Sequence, residues 1–291
     1  MESKKRLLLV FFALFLTSCS SAKLQKTDSQ SVFQIPVYFP ICINAPVVKV
    51  NIEEQELLLA LDLGSNAHLK LIGRALDQLK NKELVGVSRS TDIKGNRYEE
   101  PVYKIPYFRL GSLTVSDAVA GEENLFFIQE GSRVGKWHDH LRIQDQINKI
   151  DGRIGGGLFS SFKYVCYFDM SRLIFCMGPS LDQITNNYPV VDFMKGKFEV
   201  VDGLICLNIL TDRGMKKFML DTGAQRSLIQ KSSMDGKWVT VDLGRLGQRR
   251  FFAFDIPEQM PFDGILGFDF FEDYRMCLDF SNQTIYIKPT D

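Results

Sequence analysis

Hydrophobic positions follow one another very differently along three parts of this chain. Leu7 to Leu16 form one unbroken apolar run, and residues 20–33 are polar and rich in Ser, Lys and Gln. From there on, short apolar or alternating runs are split by Gly, Asn and Asp, with no long stretch at the helical period. Period-two alternation broken by frequent turn residues predicts a β-rich protein. Strands are predicted at Glu56–Leu61, Leu173–Met177, Lys216–Leu220 and Thr284–Ile287. Thr91 to Tyr98 reads as a hairpin turning near Gly95, and Tyr107 to Val115 as a strand pair about Gly111. Gly121 to Ile150 is polar and is expected to be a loop with one helical piece, Leu141 to Ile150.

The pattern is written twice. Asp263-Gly264-Ile265-Leu266-Gly267 is followed by Phe270-Phe271, Tyr274-Arg275 and Leu278-Asp279-Phe280-Ser281. Asp151-Gly152-Arg153-Ile154-Gly155 is followed by Leu158-Phe159, Phe162-Lys163 and Phe168-Asp169-Met170-Ser171. Upstream, the strand Glu56–Leu61 runs into Asp62 as Lys216–Leu220 runs into Asp221, each preceded by a strand holding Asn51-Ile52 or Asn208-Ile209. A shared order of small, apolar, aromatic, basic and acidic positions marks an internal repeat. Two halves, 34–180 and 187–288, are therefore expected to share one architecture. The first is much longer between Asp62 and Asp151 than the second is between Asp221 and Asp263.

The chemistry sits at the strand ends. Phe218-Met219-Leu220-Asp221-Thr222-Gly223-Ala224 is an apolar strand ending in Asp-Thr-Gly-Ala, and an apolar-apolar-Gly turn follows at Ile265-Leu266-Gly267. The first half repeats this as Asp62-Leu63-Gly64-Ser65. The combination resembles the retropepsin and pepsin-like aspartic peptidases, over nearly all of the second half and more loosely over the first. The resemblance implies an all-β fold of two acid-protease β-barrel lobes in one chain, related by a pseudo-twofold axis. It also implies a catalytic pair, Asp62 and Asp221, hydrolysing extended peptides without a cofactor. Two carboxyls in contact cannot both ionise, so they share one proton and supply base and acid together. Gly64 and Gly223 suit a tight turn that lets backbone amides reach the carboxylates. By the resemblance, Ser65 donates a further hydrogen bond to Asp62, Ala224 holds the matching place in the second half, and Thr222 reaches across to lock the lobes. Tyr98 is the candidate aromatic of a flap over the cleft, with an ordinary surface hairpin as the alternative.

Two residues depart from the pattern, both in the first half. Leu63 lacks the hydroxyl that Thr222 offers, and Arg153 puts a charge where Ile265 stands in the second half. They favour a rival use of the same fold, a cleft that binds a peptide or an envelope protein without cutting it. A third arrangement pairs two chains so that both aspartates are copies of Asp221; the first half's own motif argues for a monomer instead.

Lys4, Lys5 and Arg6 precede the ten-residue apolar run, which is too short for a membrane-spanning helix of about 20 residues. It suits the apolar region of an export signal. Leu16-Thr17-Ser18-Cys19 resembles the lipobox of bacterial lipoproteins, implying a signal peptide over 1–18, acylation of Cys19, and a tether over 19–33 that anchors an exported protein to a membrane of the cell envelope. Five further cysteines, Cys42, Cys166, Cys176, Cys206 and Cys277, are expected mainly as buried thiols, with Cys166 and Cys176 the first candidates for a disulfide. Lys plus Arg equals Asp plus Glu at 35 each, and the absence of a basic stripe excludes a nucleic-acid partner. His138-Asp139-His140 has no third ligand at metal-site spacing, and Gly152 to Gly157 is not followed by the Lys-Ser or Lys-Thr of a phosphate loop.

Overall fold

The computed structural model describes residues 23–25, 32–40, 45–91, 96–123, 148–232 and 236–290 of the 291-residue chain. Cys19, Cys42, the His138–His140 pair, the tip of the Thr91–Tyr98 hairpin and most of the expected helical piece at 141–150 lie outside the described residues.

The first lobe contains β1 (Lys23–Gln25), β2 (Phe33–Tyr38), β3 (Val47–Ile52), β4 (Gln55–Asp62), β5 (Leu69–Ile72), the short helix α1 (Gly73–Asp77), β6 (Glu83–Thr91), β7 (Arg97–Leu110), β8 (Leu113–Glu123), β9 (Gly152–Gly155), α2 (Gly156–Ser161), β10 (Val165–Asp169) and β11 (Ile174–Gly178). Helix α3 (Leu181–Asn187), capped by the Ser180 hydroxyl, leads into the second lobe. There follow β12 (Met194–Val201), β13 (Leu204–Thr211), β14 (Gly214–Leu220), β15 (Leu228–Gln230), β16 (Trp238–Asp242), β17 (Gln248–Phe254), β18 (Gly264–Leu266), α4 (Phe268–Asp273), β19 (Tyr274–Asp279) and β20 (Thr284–Pro289).

Strand pairing reproduces the sequence repeat. In the first lobe β3 pairs antiparallel with β4, β4 parallel with β9, β9 antiparallel with β5, β5 parallel with β8, and β8 antiparallel with β7. In the second, β13, β14, β18, β15, β17 and β16 follow one another with the same senses. Leu61 faces Ile154 across β4–β9 as Leu220 faces Leu266 across β14–β18. Six further strands, in the order β2-β11-β10-β19-β20-β12, form an antiparallel sheet joining the lobes, and this order reads the same from both ends. A pseudo-twofold axis between β10 and β19 accounts for it.

Alternation places the core. β2 shows alternating buried and exposed residues, whereas β10 in the middle of the joining sheet is buried throughout, because both of its faces are covered. Phe159, Phe168, Phe175 and Phe271 pack there in stacked and edge-on pairs.

The candidate disulfide is not formed: Cys166, Cys176, Cys206 and Cys277 are free, buried thiols. Cys176 lies opposite Tyr167, one residue past Cys166, so the two sulfurs point to opposite faces of the sheet. Cys166 packs into the main apolar cluster and Cys176 into a separate one with Tyr167 and Cys277. Among the described residues no helix is long and apolar enough to cross a membrane, and no group of three His, Cys, Asp or Glu residues has metal-site geometry.

Candidate active site at the lobe junction

Each aspartate is delivered by the parallel pairing of a strand with an apolar-Gly turn. Asp151 and Asp263 set that register. The Asp151 carboxylate accepts from the amide of Leu58 and its own amide donates to the Leu58 carbonyl, at 3.0 and 2.8 Å. Asp263 repeats both bonds with Lys217, at 2.8 and 2.7 Å. The Asp-Gly motifs of both halves are thus clamps that hold β9 beside β4 and β18 beside β14.

The strands end with Asp62 and Asp221 in contact across the lobe boundary. The carboxyls share a hydrogen bond. The amide of Gly64 donates to Asp62 Oδ1 at 3.1 Å; the amides of Gly223 and Ala224 donate to Asp221 Oδ1 at 2.8 and 3.0 Å. Both glycines are required by close approach. A Cβ on Gly64 would lie 2.3 Å from Asp221 Cγ, and one on Gly223 would lie 2.8 Å from Asp62 Oδ1, so each lobe's glycine makes room for the other lobe's carboxyl.

Thr222, fully buried, donates its hydroxyl to the Leu61 carbonyl at 2.6 Å and accepts from the Leu63 amide at 3.0 Å. This is the expected cross-lobe lock, built from one side only. Leu63 is buried in the main apolar cluster, where it packs instead of bonding.

Ser65 does not do what the resemblance implied. Its hydroxyl accepts from the amide of Ala67 at 3.4 Å, and among the described residues no hydrogen bond joins it to Asp62. The outer oxygen of Asp62 is taken by a group that the sequence had marked only as an oddity. Arg153 Nη1 donates to Asp62 Oδ2 at 2.7 Å, and Arg153 Nε stands 2.7 Å from Glu123 Oε2, an ion pair without hydrogen-bond alignment. Ile265, the pseudo-symmetric residue, is apolar and buried.

More charge lies behind. Lys70 is directly opposite Arg153 in the β5–β9 ladder and pairs with Glu100 of β7; both side chains are buried. Glu123, Lys70 and Glu100 were not singled out by sequence. Glu123 ends β8, which runs three residues into the stretch 121–150 expected to be loop, and Lys70 and Glu100 lie in unremarkable strand sequence.

These contacts set the protonation. Lost hydration, the adjoining Asp62 charge and the hydrogen bond from the pair push Asp221 up from 3.8 to about 8, against the pull of the Gly223 and Ala224 amides. Burial works against the Arg153 charge, but Asp62, Glu123 and Asp221 together outweigh it and hold the guanidinium above its ordinary value. Arginine can only donate, so Asp62 Oδ2 meets it as an acceptor, whereas Asp221 has two amides and the other acid for partners. Tyr98 is half-buried on β7, opposite Ser90, near the end of the β6–β7 hairpin. The surface hollows at Glu53, Tyr107 and Arg109 and at Ser180, Lys195 and Lys197 include neither aspartate.

No family model and no curated protein matches the sequence. Solved structures do match its fold. The chain resembles basic 7S globulin from soybean at a TM-score of 0.58 and 12% identity, covering 90% of this chain and 95% of that one. It resembles an aspartic proteinase from Irpex lacteus at 0.56 and 13%, covering 90% and 98%. It also resembles conglutin gamma, a basic 7S globulin from lupine seeds, at 0.52 and 8%, covering 90% and 96%. A proteinase and globulins share this scaffold, so the likeness establishes the pepsin-like two-lobed fold and leaves the chemistry to the site.

Proposed function

We propose that this protein is an aspartic endopeptidase whose base is Asp62 and whose acid is Asp221. The observation that carries the reading is the meeting of two carboxyls from opposite lobes, so close that each lobe's glycine has no room for a Cβ beside the other lobe's acid. Asp62 removes a proton from a water held between the pair. The water attacks the peptide carbonyl, and Asp221 gives its proton to the carbonyl oxygen. Collapse of the tetrahedral intermediate then protonates the leaving amine through the same pair. An extended peptide bound as an added strand supplies main-chain hydrogen bonds, and apolar pockets select hydrophobic side chains. Export and anchoring through an acylated Cys19 belong to the same proposal; mass spectrometry of the N-terminal peptide from the native host tests it, an unmodified thiol counting against it.

A second reading keeps the fold and the peptide but not the cleavage. Arg153 favours it, because the guanidinium already holds Asp62 Oδ2, one of the two oxygens that could take a proton from water. Cleavage of a peptide library from acid to neutral pH by wild type, Asp62→Asn and Asp221→Asn separates the two. Cutting by wild type alone supports the peptidase. Peptide capture without cutting, equal in all three, supports the second reading.

A further inference from the structure

We propose that Arg153 is a positioning residue of the dyad: bridging Glu123 to the outer oxygen of Asp62, it makes the two aspartates inequivalent and fixes Asp62 as base and Asp221 as acid. The inference rests on the peptidase reading and says how that site is set.

The argument is one of broken symmetry. Backbone support of the two carboxyls is similar, with Gly64 serving Asp62 as Gly223 serves Asp221, except that Asp221 has the Ala224 amide as well. Strand pairing around them is matched as well. In such a frame the amides alone would favour the charge on Asp221, and something else must place the proton there. Arg153 supplies the difference, since its counterpart Ile265 brings no charge to Asp221.

The guanidinium is fixed from several sides. Its strand β9 lies between β4, which ends in Asp62, and β5, which carries Lys70 directly opposite; Glu123 comes from the end of β8, and Asp221 from the other lobe. Lys70 does not compete for the dyad, because Glu100 of β7 holds its ammonium. Four carboxyls, Asp62, Asp221, Glu100 and Glu123, thus face two cations, Lys70 and Arg153. Both glutamates are engaged by cations, and so is Asp62. Asp221 is the one carboxyl whose partners are amides and another acid, and it takes the proton that lowers the excess negative charge.

A cation beside a carboxylate displaces its titration by about one to three pH units. Removing it makes the second protonation of the dyad easier, and that protonation abolishes the base. The acidic limb of kcat/KM should therefore rise by about one pH unit or more in Arg153→Ile. Arg153→Lys keeps a cation within reach and should return the limb toward wild type. Arg153→Ile alone leaves Glu123 buried without its cation, so Arg153→Ile/Glu123→Gln is measured beside it, folding being checked by circular dichroism.

The test is the pH profile of peptide cleavage for wild type and these three variants, together with a carbon-13 NMR titration of the aspartate carboxyls. The proposal holds if both Ile variants lose their low-pH activity and the Lys variant recovers it. Superimposable profiles overturn it. So does faster cleavage by the Ile variants at every pH, which would make Arg153 a plug. If no form cuts any peptide, the peptidase reading fails, and the NMR titration still decides the inference: unchanged carboxyl titration in the Ile variants sinks it, and displacement restored by lysine upholds it.

Discussion

Asp221→Asn should make this protein more stable as pH rises, while abolishing cleavage. The reasoning starts from the proton. In the unfolded chain the Asp221 carboxyl ionises near 3.8, whereas in the folded chain it keeps its proton until about pH 8. Between those values the folded state holds one proton more than the unfolded state, so stability falls with pH. Each pH unit costs at most about 1.4 kcal/mol, which puts the ceiling on the order of 5 kcal/mol. The full contribution is present below the unfolded value and is gone above pH 8. Because the proton belongs to the pair, the loss is a property of the dyad and lies below that ceiling.

Asparagine suits the folded site and has no proton to lose. Its carbonyl oxygen can accept from the Gly223 and Ala224 amides as Asp221 Oδ1 does, and its amide can donate to Asp62. Carboxyls away from the pair titrate alike in both proteins and cancel in the difference, which therefore reports the dyad. Urea unfolding of wild type and Asp221→Asn at pH 4, 6 and 8 measures it. The stability difference should grow in favour of the variant by about 2 kcal/mol or more from the lowest to the highest pH. In a chain of this size that is a rise in Tm of about 4 °C or more at pH 8. A difference that does not change with pH, or a variant less stable at pH 8, would refute the assignment of the shared proton to Asp221.

Three further outcomes follow from the site. Thr222→Val removes the hydroxyl serving Leu61 and Leu63 and strands two backbone groups at the lobe boundary; the urea midpoint should drop by the equivalent of about 2–3 kcal/mol, with little change in slope. Leu63→Thr should not strengthen the lock, because the apolar burial lost is about 2 kcal/mol and one new hydrogen bond returns only about 1; a variant clearly more stable than wild type would show that the missing half of the lock costs more than Leu63 gains by packing. Glu100→Gln leaves Lys70 buried without its anion and should cost about 3–5 kcal/mol, whereas Lys70→Met/Glu100→Leu should lie close to wild type; thermal unfolding of both variants checks the difference.

Much of the architecture was legible because the repeat wrote it twice. The glycines beside each aspartate were legible from the tight turn, and the reach of Thr222 from the family resemblance, whereas Asp151 and Asp263 marked the repeat without disclosing that they clamp β9 to β4 and β18 to β14. The link from Arg153 to Asp62 was not legible. It joins residues far apart in the chain through a parallel pairing whose register is known only in space, and its second partner, Glu123, borders a polar stretch with no strand signature. The ion pair of Lys70 and Glu100 was hidden for a like reason: alternation alone assigns lysine and glutamate to solvent, and here the two occupy inward positions on β5 and β7, the strands on either side of β8. Ser65 illustrates the converse. It was expected to donate to Asp62, but its hydroxyl accepts from the Ala67 amide and Arg153 donates to Asp62 Oδ2.

Whether Arg153 marks a disabled site or a tuned one turns on what else the chain maintains. A scaffold that only held peptides would gain from separating the two acids, since crowding a carboxyl against another until its proton stays on to about pH 8 costs stability over most of the neutral range. Such a scaffold would also have no use for glycine at position 64, where the nearest atoms to an added Cβ are the three carboxyl atoms of Asp221, none of them backbone. Side chains are excluded there by the opposing acid alone, and glycine gives up about 0.5–1 kcal/mol of conformational entropy relative to alanine in ordered backbone. The displaced proton and the bare glycine both follow from the close meeting of two carboxyls, which is the geometry that the proposed hydrolysis requires. Arg153 works with that arrangement, because its guanidinium takes one oxygen of Asp62 and leaves the other on the Gly64 amide, beside Asp221.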